Sequence, residues 1–93
     1  MRMRRFREIT KKEKELLLPK IEKIQKEIDC KCELIENSAS DEENGVTIFN
    51  YKAEESNGDC TYILGIYKNK VYSPSEMGLD TEKKQWGYKL MRQ

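Results

Sequence analysis

The sequence predicts an α+β fold: an N-terminal helix, kinked at Pro19, packed on an antiparallel β-meander of three to five strands. Three observations carry this. A capping box at Thr10 opens an apolar stripe of helical period. The period then shortens to two near Cys30. Asn57-Gly58, a strong hairpin signal, lies between two β-rich runs.

The helix comes first. In Thr10-Lys11-Lys12-Glu13 the hydroxyl can accept from the Glu13 N–H while the Glu13 carboxylate reaches back to Thr10. Leu17, Ile21, Ile24 and Ile28 follow on one face, with Lys20, Glu22, Lys23, Lys26 and Glu27 on the others. Pro19 lacks an N–H and its ring crowds the preceding turn, so a kink or two abutting helices are expected. The pattern fades near Asp29.

Residues 30–35 suit a first strand, residues 38–45 a loop, and residues 46–53, rich in β-branched and aromatic side chains, a second strand. Residues 60–67 form its hairpin partner. Lys68-Asn69 permits a second tight turn into Lys70-Val71-Tyr72. Ser73-Pro74-Ser75-Glu76 reads as another helix start, with proline at the first helical position and Gly78 close behind. Residues 86–91 suit either a last edge strand, the reading preferred here, or the tail of a short helix from Asp80.

Ninety-three residues suit one domain, here taken as 1–93 with a basic N-terminal arm at 1–9. Charged residues make up 38% of the chain, yet the net charge is only +1, so the averaged chain is no polybasic tail. The distribution is uneven. Residues 1–14 carry net +5, residues 33–59 net −7 and residues 60–93 net +3. The basic start is followed by no apolar run, so it does not read as a secretory signal, and no run is long enough to span a membrane. Cys30, Cys32 and Cys60 are an odd set and read as reduced thiols of a cytoplasmic protein (nuclear or nucleolar in a eukaryote).

There is no histidine, which removes the commonest general base and the commonest metal ligand. The five glycines are scattered and form no phosphate loop. A non-enzyme is therefore expected, with no cofactor, no bound metal and no small-molecule substrate. Two kinds of binding surface remain. Arg2, Arg4, Arg5 and Arg7, with Phe6 among them and Lys11 and Lys12 behind, suit phosphate oxygens; the first turn of the helix adds N–H groups. Tyr62, Tyr67 and Tyr72 beside Lys68 and Lys70 would suit single-stranded nucleic acid if they shared an exposed face.

Several short motifs together resemble a known layout. Arg7-Glu8-Ile9-Thr10, the helix through Ile28, Tyr62-Ile63-Leu64-Gly65 and Lys70-Val71-Tyr72-Ser73-Pro74-Ser75-Glu76 look like the pre-PUA domain. That small α+β module precedes a PUA RNA-binding domain in ribosome-biogenesis and RNA-modification factors. The acidic stretch at residues 40–43 is not part of its pattern. The resemblance implies a module associated with RNA or a ribonucleoprotein; the basic start of the chain supplies the expected contacts, Arg2, Arg4, Arg5, Arg7, Lys11 and Lys12. The alternative is a small protein-binding inhibitor or adaptor of the phage or mobile-element type. It would use the acidic residues Asp41, Glu42, Glu43, Glu54 and Glu55, or pair a sheet edge such as residues 46–53 or 86–91 with one protein partner.

Overall fold

The computed structural model describes residues 5–91. Helix α1 (Lys11–Ile28) is followed by strands β1 (Cys32–Leu34), β2 (Ser40–Asp41), β3 (Thr47–Glu55), β4 (Gly58–Tyr67) and β5 (Lys70–Tyr72). A short helix α2 (Pro74–Met77), a small hairpin of β6 (Leu79–Asp80) and β7 (Gln85–Trp86), and a last turn of helix α3 (Tyr88–Met91) complete it. The expected α+β fold is what forms: an N-terminal helix on an antiparallel five-stranded sheet, ordered β1-β3-β4-β5 with β2 beside β3.

The capping box at Thr10 closes as its residue types dictate. Glu13 donates its N–H to Thr10 Oγ1 at 3.2 Å, and Thr10 donates its own N–H to Glu13 Oε1 at 2.9 Å. The helix runs unbroken past Pro19, which lies exposed, so two abutting helices do not form. Asp29 ends it in a left-handed conformation, φ 53°. Leu17 and Ile21 are buried, Ile24 is half-buried and Ile28 is 42% exposed. The stripe's last turn therefore overhangs the core.

β3 is the centre of the sheet, buried on both faces. Phe49 and Tyr51 point to α1, where they meet Leu17, Ile21, Ile9 and Leu64. Val46, just before the strand, and Ile48 point the other way, to Met77 of α2 and Leu90 of α3. Gly65 lets α2 come close: a Cβ there would lie 2.1 Å from Met77 Sδ. The second face has its own cover because the chain after Tyr72 folds back across the sheet.

Four sequence expectations are corrected. Residues 46–53 are no edge strand, since β3 pairs with β1 and β2 on one side and β4 on the other. Residues 86–91 are not one strand; the alternative, a short helix, forms there but starts at Tyr88 and not at Asp80. After Trp86 the chain turns at Gly87 (φ 96°) into α3, which buries Leu90. The β3–β4 turn lies one residue earlier than expected, at Ser56-Asn57, with Glu55 paired to Gly58 and the positive φ (118°) on Gly58. Glycine alone takes that angle at little cost, and it follows the turn instead of sitting inside it. Within residues 38–45, finally, Ser40 and Asp41 pair with Ile48 and Thr47 instead of looping free.

Candidate interaction surfaces

The arm at residues 1–9 divides. Arg2 and Arg4 lie outside the described residues. Arg5 and Phe6 are exposed. Residues 7–9, by contrast, belong to the fold. β1 and β2 lie along the same side of β3, and residues 36–39 between them leave the ladder. Arg7 and Ile9 satisfy that excursion. Arg7 and Ala39 exchange backbone hydrogen bonds at 2.8 and 3.1 Å, and Ile9 donates its N–H to the Glu36 carbonyl at 2.8 Å. Ile9 is buried. Ser38 fills the gap left in the ladder: its Oγ accepts from the Asn50 N–H at 3.0 Å and donates to the Ile35 carbonyl at 2.7 Å.

The Arg7 guanidinium is saturated. Nε and Nη2 donate to the Asp41 carboxylate, each at 2.8 Å. Nη1 and Nη2 donate to the two oxygens of Glu13, also at 2.8 Å. Nη1 gives its remaining proton to the Glu8 carbonyl at 3.1 Å. An arginine has five N–H donors, and all are in use, so none is left for a phosphate. Arg7 is therefore removed from the expected nucleic-acid set. Its hydrogen bonds hold the carboxyls of Glu13 and Asp41 below the usual carboxylate range and its own pKa above the ordinary arginine value. The same clasp occupies the expected anion site. The Glu13 carboxylate already sits at the start of α1, where it serves both the cap and Arg7.

Of the expected phosphate contacts, Arg5, Lys11 and Lys12 remain exposed among the described residues. Lys14, one turn on, pairs with Glu36 at 2.5 Å. The tyrosines do not make one platform. Tyr62 faces the α1 side and leans on Tyr51, ring centroids 5.7 Å apart. Tyr67 and Tyr72 are half-buried against the opposite core, with Lys68 over the Tyr67 ring at 5.2 Å.

The acidic set divides as well. Asp41 is held by Arg7 and accepts from Thr47 Oγ1 at 2.9 Å, so it is no open docking residue. Glu42 is half-buried in the following turn, where its N–H donates to the Val46 carbonyl, and Glu43 beside it is exposed. Glu54 and Glu55 lie far from them, at the β3–β4 hairpin. Glu55 accepts the Tyr62 hydroxyl, which raises the phenol's pKa. Glu54 stands directly opposite Asp59, and Lys52 reaches Asp59 at 3.8 Å.

That hairpin carries the feature sequence reasoning missed. Bonds from Glu54 N to the Lys31 carbonyl and from Ile35 N to the Asn50 carbonyl show which β3 residues face β1: 50, 52 and 54. Residues 47, 49, 51, 53 and 55 thus face β4 and bond with its even-numbered residues. The odd-numbered residues of β4 turn their N–H and C=O groups outward. β5 pairs with Gly65, Ile66 and Tyr67 only. Asp59, Thr61 and Ile63 are left with outward backbone groups that no described residue pairs. Asp59, Thr61 and Tyr62 are exposed there. The only sequence signal was a length mismatch: an eight-residue run against a three-residue partner.

Cys32 and Cys60 flank Ala53 on one face, two strand spacings apart, roughly 10 Å. That is too far for a disulfide, and all three cysteines are free thiols. Burial pushes the Cys32 thiol up. Among the described residues no helix is long and apolar enough to cross a membrane. No protein-family model matches the chain, and neither a curated protein nor a solved structure matches it.

Proposed function

We propose that this chain is a non-catalytic protein-binding module that works by pairing the open edge of β4 with a partner. The observation that carries this is the row of outward backbone groups at Asp59, Thr61 and Ile63 beside an acidic hairpin, with Asp59 and Thr61 exposed and Ile63 half-buried. Backbone groups at an exposed sheet edge are a template for another strand, and proteins blunt such edges unless the edge is used. The module thus belongs to the inhibitor or adaptor class, with Glu54, Glu55 and Asp59 as its acidic component in place of Asp41.

RNA or ribonucleoprotein association is the second reading. It is supported by the exposure of Arg5, Lys11 and Lys12 around the start of α1. It loses Arg7 and the helix N-terminus to the clasp, and it retains the short motifs that resemble a pre-PUA domain.

Affinity capture from a host extract, with and without nuclease, separates the two. Thr61→Pro blocks the edge without removing a bond to β3. A partner lost with Thr61→Pro and indifferent to nuclease supports edge pairing. A partner released by nuclease, lost in the Arg5→Ala/Lys11→Ala/Lys12→Ala variant and kept by Thr61→Pro supports RNA association. In that case log K falls steeply with log salt.

A further inference from the structure

The ladder states what the missing strand should carry. Each row of side chains across the sheet ends at the β4 edge. On the face away from α1, one row runs Lys31, Glu54, Asp59. Two acids stand directly opposite each other in it, an arrangement that disfavours the pair. Lys52 relieves it only from the neighbouring row, at 3.8 Å. No described residue takes the next position of that row, which Asp59 flanks. Four residues along, the row Ile35, Asn50, Ile63 ends on an apolar side chain. On the α1 face the rows Cys32, Ala53, Cys60 and Leu34, Tyr51, Tyr62 end on a small thiol and an exposed ring.

Resting on the protein-binding reading above, we propose that the β4 edge receives an extended segment of a partner protein in antiparallel register, with Lys or Arg opposite Asp59. Opposite Ile63 and Tyr62 it carries apolar residues, and opposite Cys60 a small apolar one. Antiparallel pairing lets Asp59, Thr61 and Ile63 each exchange two backbone hydrogen bonds with the residue opposite. The cation completes the row as plus, minus, minus, plus. A second copy of this chain does not meet that requirement. A two-fold pairing about Thr61 sets Asp59 against Ile63 of the other copy and brings no cation into the acidic row. With a β-branched residue opposite Thr61, a type that suits a strand, the segment read from its N-terminus runs apolar, apolar, β-branched, small apolar, basic.

The test uses the full chain with the peptide Ile-Val-Thr-Val-Arg fused to its C-terminus through a Gly/Ser linker of about 20 residues. Such a linker reaches about 25 Å on average and supplies a local concentration in the millimolar range. A second fusion carries Glu in place of the Arg. Amide hydrogen exchange is read residue by residue against the untethered chain. The expected result is that the amides of Asp59, Thr61 and Ile63 slow by roughly tenfold or more with the Arg peptide and far less with the Glu peptide. The amides of Cys60 and Tyr62, already bonded to β3, serve as internal reference. Equal slowing with both peptides overturns the basic partner while leaving the edge as a protein-binding site. No slowing with either overturns edge pairing itself. Slowing of the same amides in the untethered chain as its concentration rises assigns the edge to a second copy, which also overturns the proposal.

Discussion

Arg7 and Asp59 stand toward opposite edges of one sheet, and the fold treats them differently. On the β2 side, Arg7 binds two carboxylates and a carbonyl, its backbone pairs with Ala39, and Ile9 is buried behind it. Around the clasp that side is closed: the excursion at residues 36–39 has its backbone bonds from Arg7 and Ile9, and Ser38 completes the ladder. On the β4 side, Asp59 faces Glu54, has one long contact to Lys52, and sits on backbone that turns outward and that no described residue pairs. A charged or polar group is available to a partner only where the fold has not used it. By that measure the basic end of this chain offers less than its composition suggests, and the acidic hairpin offers more.

The largest effect expected of this contrast is at two adjacent residues. Tyr62 points its N–H at β3, opposite Tyr51, while Thr61 points its N–H outward. Tyr62→Pro removes a ladder bond in the middle of the longest pairing and should cost about 3 kcal/mol or more. Thr61→Pro removes none and should cost roughly 1 kcal/mol, from backbone restriction alone. Urea unfolding of the two variants checks this. Equal losses would mean that the β4 edge is paired in solution. Exchange rates of the native chain should alternate in the same sense, slow at Cys60, Tyr62 and Leu64, fast at Asp59, Thr61 and Ile63.

What the sequence could and could not convey follows from the range of the interactions. The Thr10 cap, the Ser73 helix start and the Lys68-Asn69 turn, where both residues take positive φ, are local and were legible. Arg7 was not separable from Arg5, because what distinguishes them is Asp41, 34 residues away in the chain. Ser38 looked like a loop residue because nothing near it in sequence shows that its hydroxyl stands in for a strand. Residues 46–53 read correctly as a strand but wrongly as an edge, since position in a sheet depends on which other strands arrive. The candidate site follows that rule: an unpaired edge is a property of neighbours, and no residue of β4 declares it.

The next effect sharpens the closed side. Leu17 is fully buried under the clasp end of α1, whereas Ile24 is half-buried nearer the overhang. Leu17→Ala should cost about 3–4 kcal/mol and Ile24→Ala about 2 kcal/mol. Thermal or urea unfolding gives both numbers. Equal losses would show that the core extends further along the helix than its burial indicates.

Removing Arg7 tests the clasp directly. Arg7→Ala should cost about 1–2 kcal/mol, kept low because the Arg7 and Asp41 side chains are 35% and 59% exposed and water screens the pair. It should also flatten the acid limb. Hydrogen bonds from Arg7 lower the carboxyls of Glu13 and Asp41, so between folded and unfolded pKa values the unfolded chain binds more protons. Their contribution is complete above about pH 5 and is lost as the pH falls through the folded values. Stability measured from pH 6 to pH 2 should fall more steeply in the native chain than in Arg7→Ala. Parallel curves would mean that Arg7 is not paired with these acids.

The smallest effect falls on the open side and has the opposite sign. Glu54 and Asp59 are a directly opposed like-charge pair, and Lys52 contacts only Asp59. Glu54→Gln keeps the shape of the side chain and its place on the strand while removing the repulsion. It should raise stability by a few tenths of a kcal/mol, within the range measured for cross-strand charge pairs. Lys52→Gln should lower stability by a similar amount, because it leaves the two acids uncompensated. Both shifts should shrink as salt rises from ~0.05 to ~0.5 M, since the groups are near the surface and the screening length falls to about 4 Å. Urea midpoints at the two salt concentrations check the sign and the decay together. If Glu54→Gln destabilises instead, Glu54 is already neutralised, with Lys31 in the same row the nearest candidate. The case for a cation arriving on a partner strand then rests on Asp59 alone.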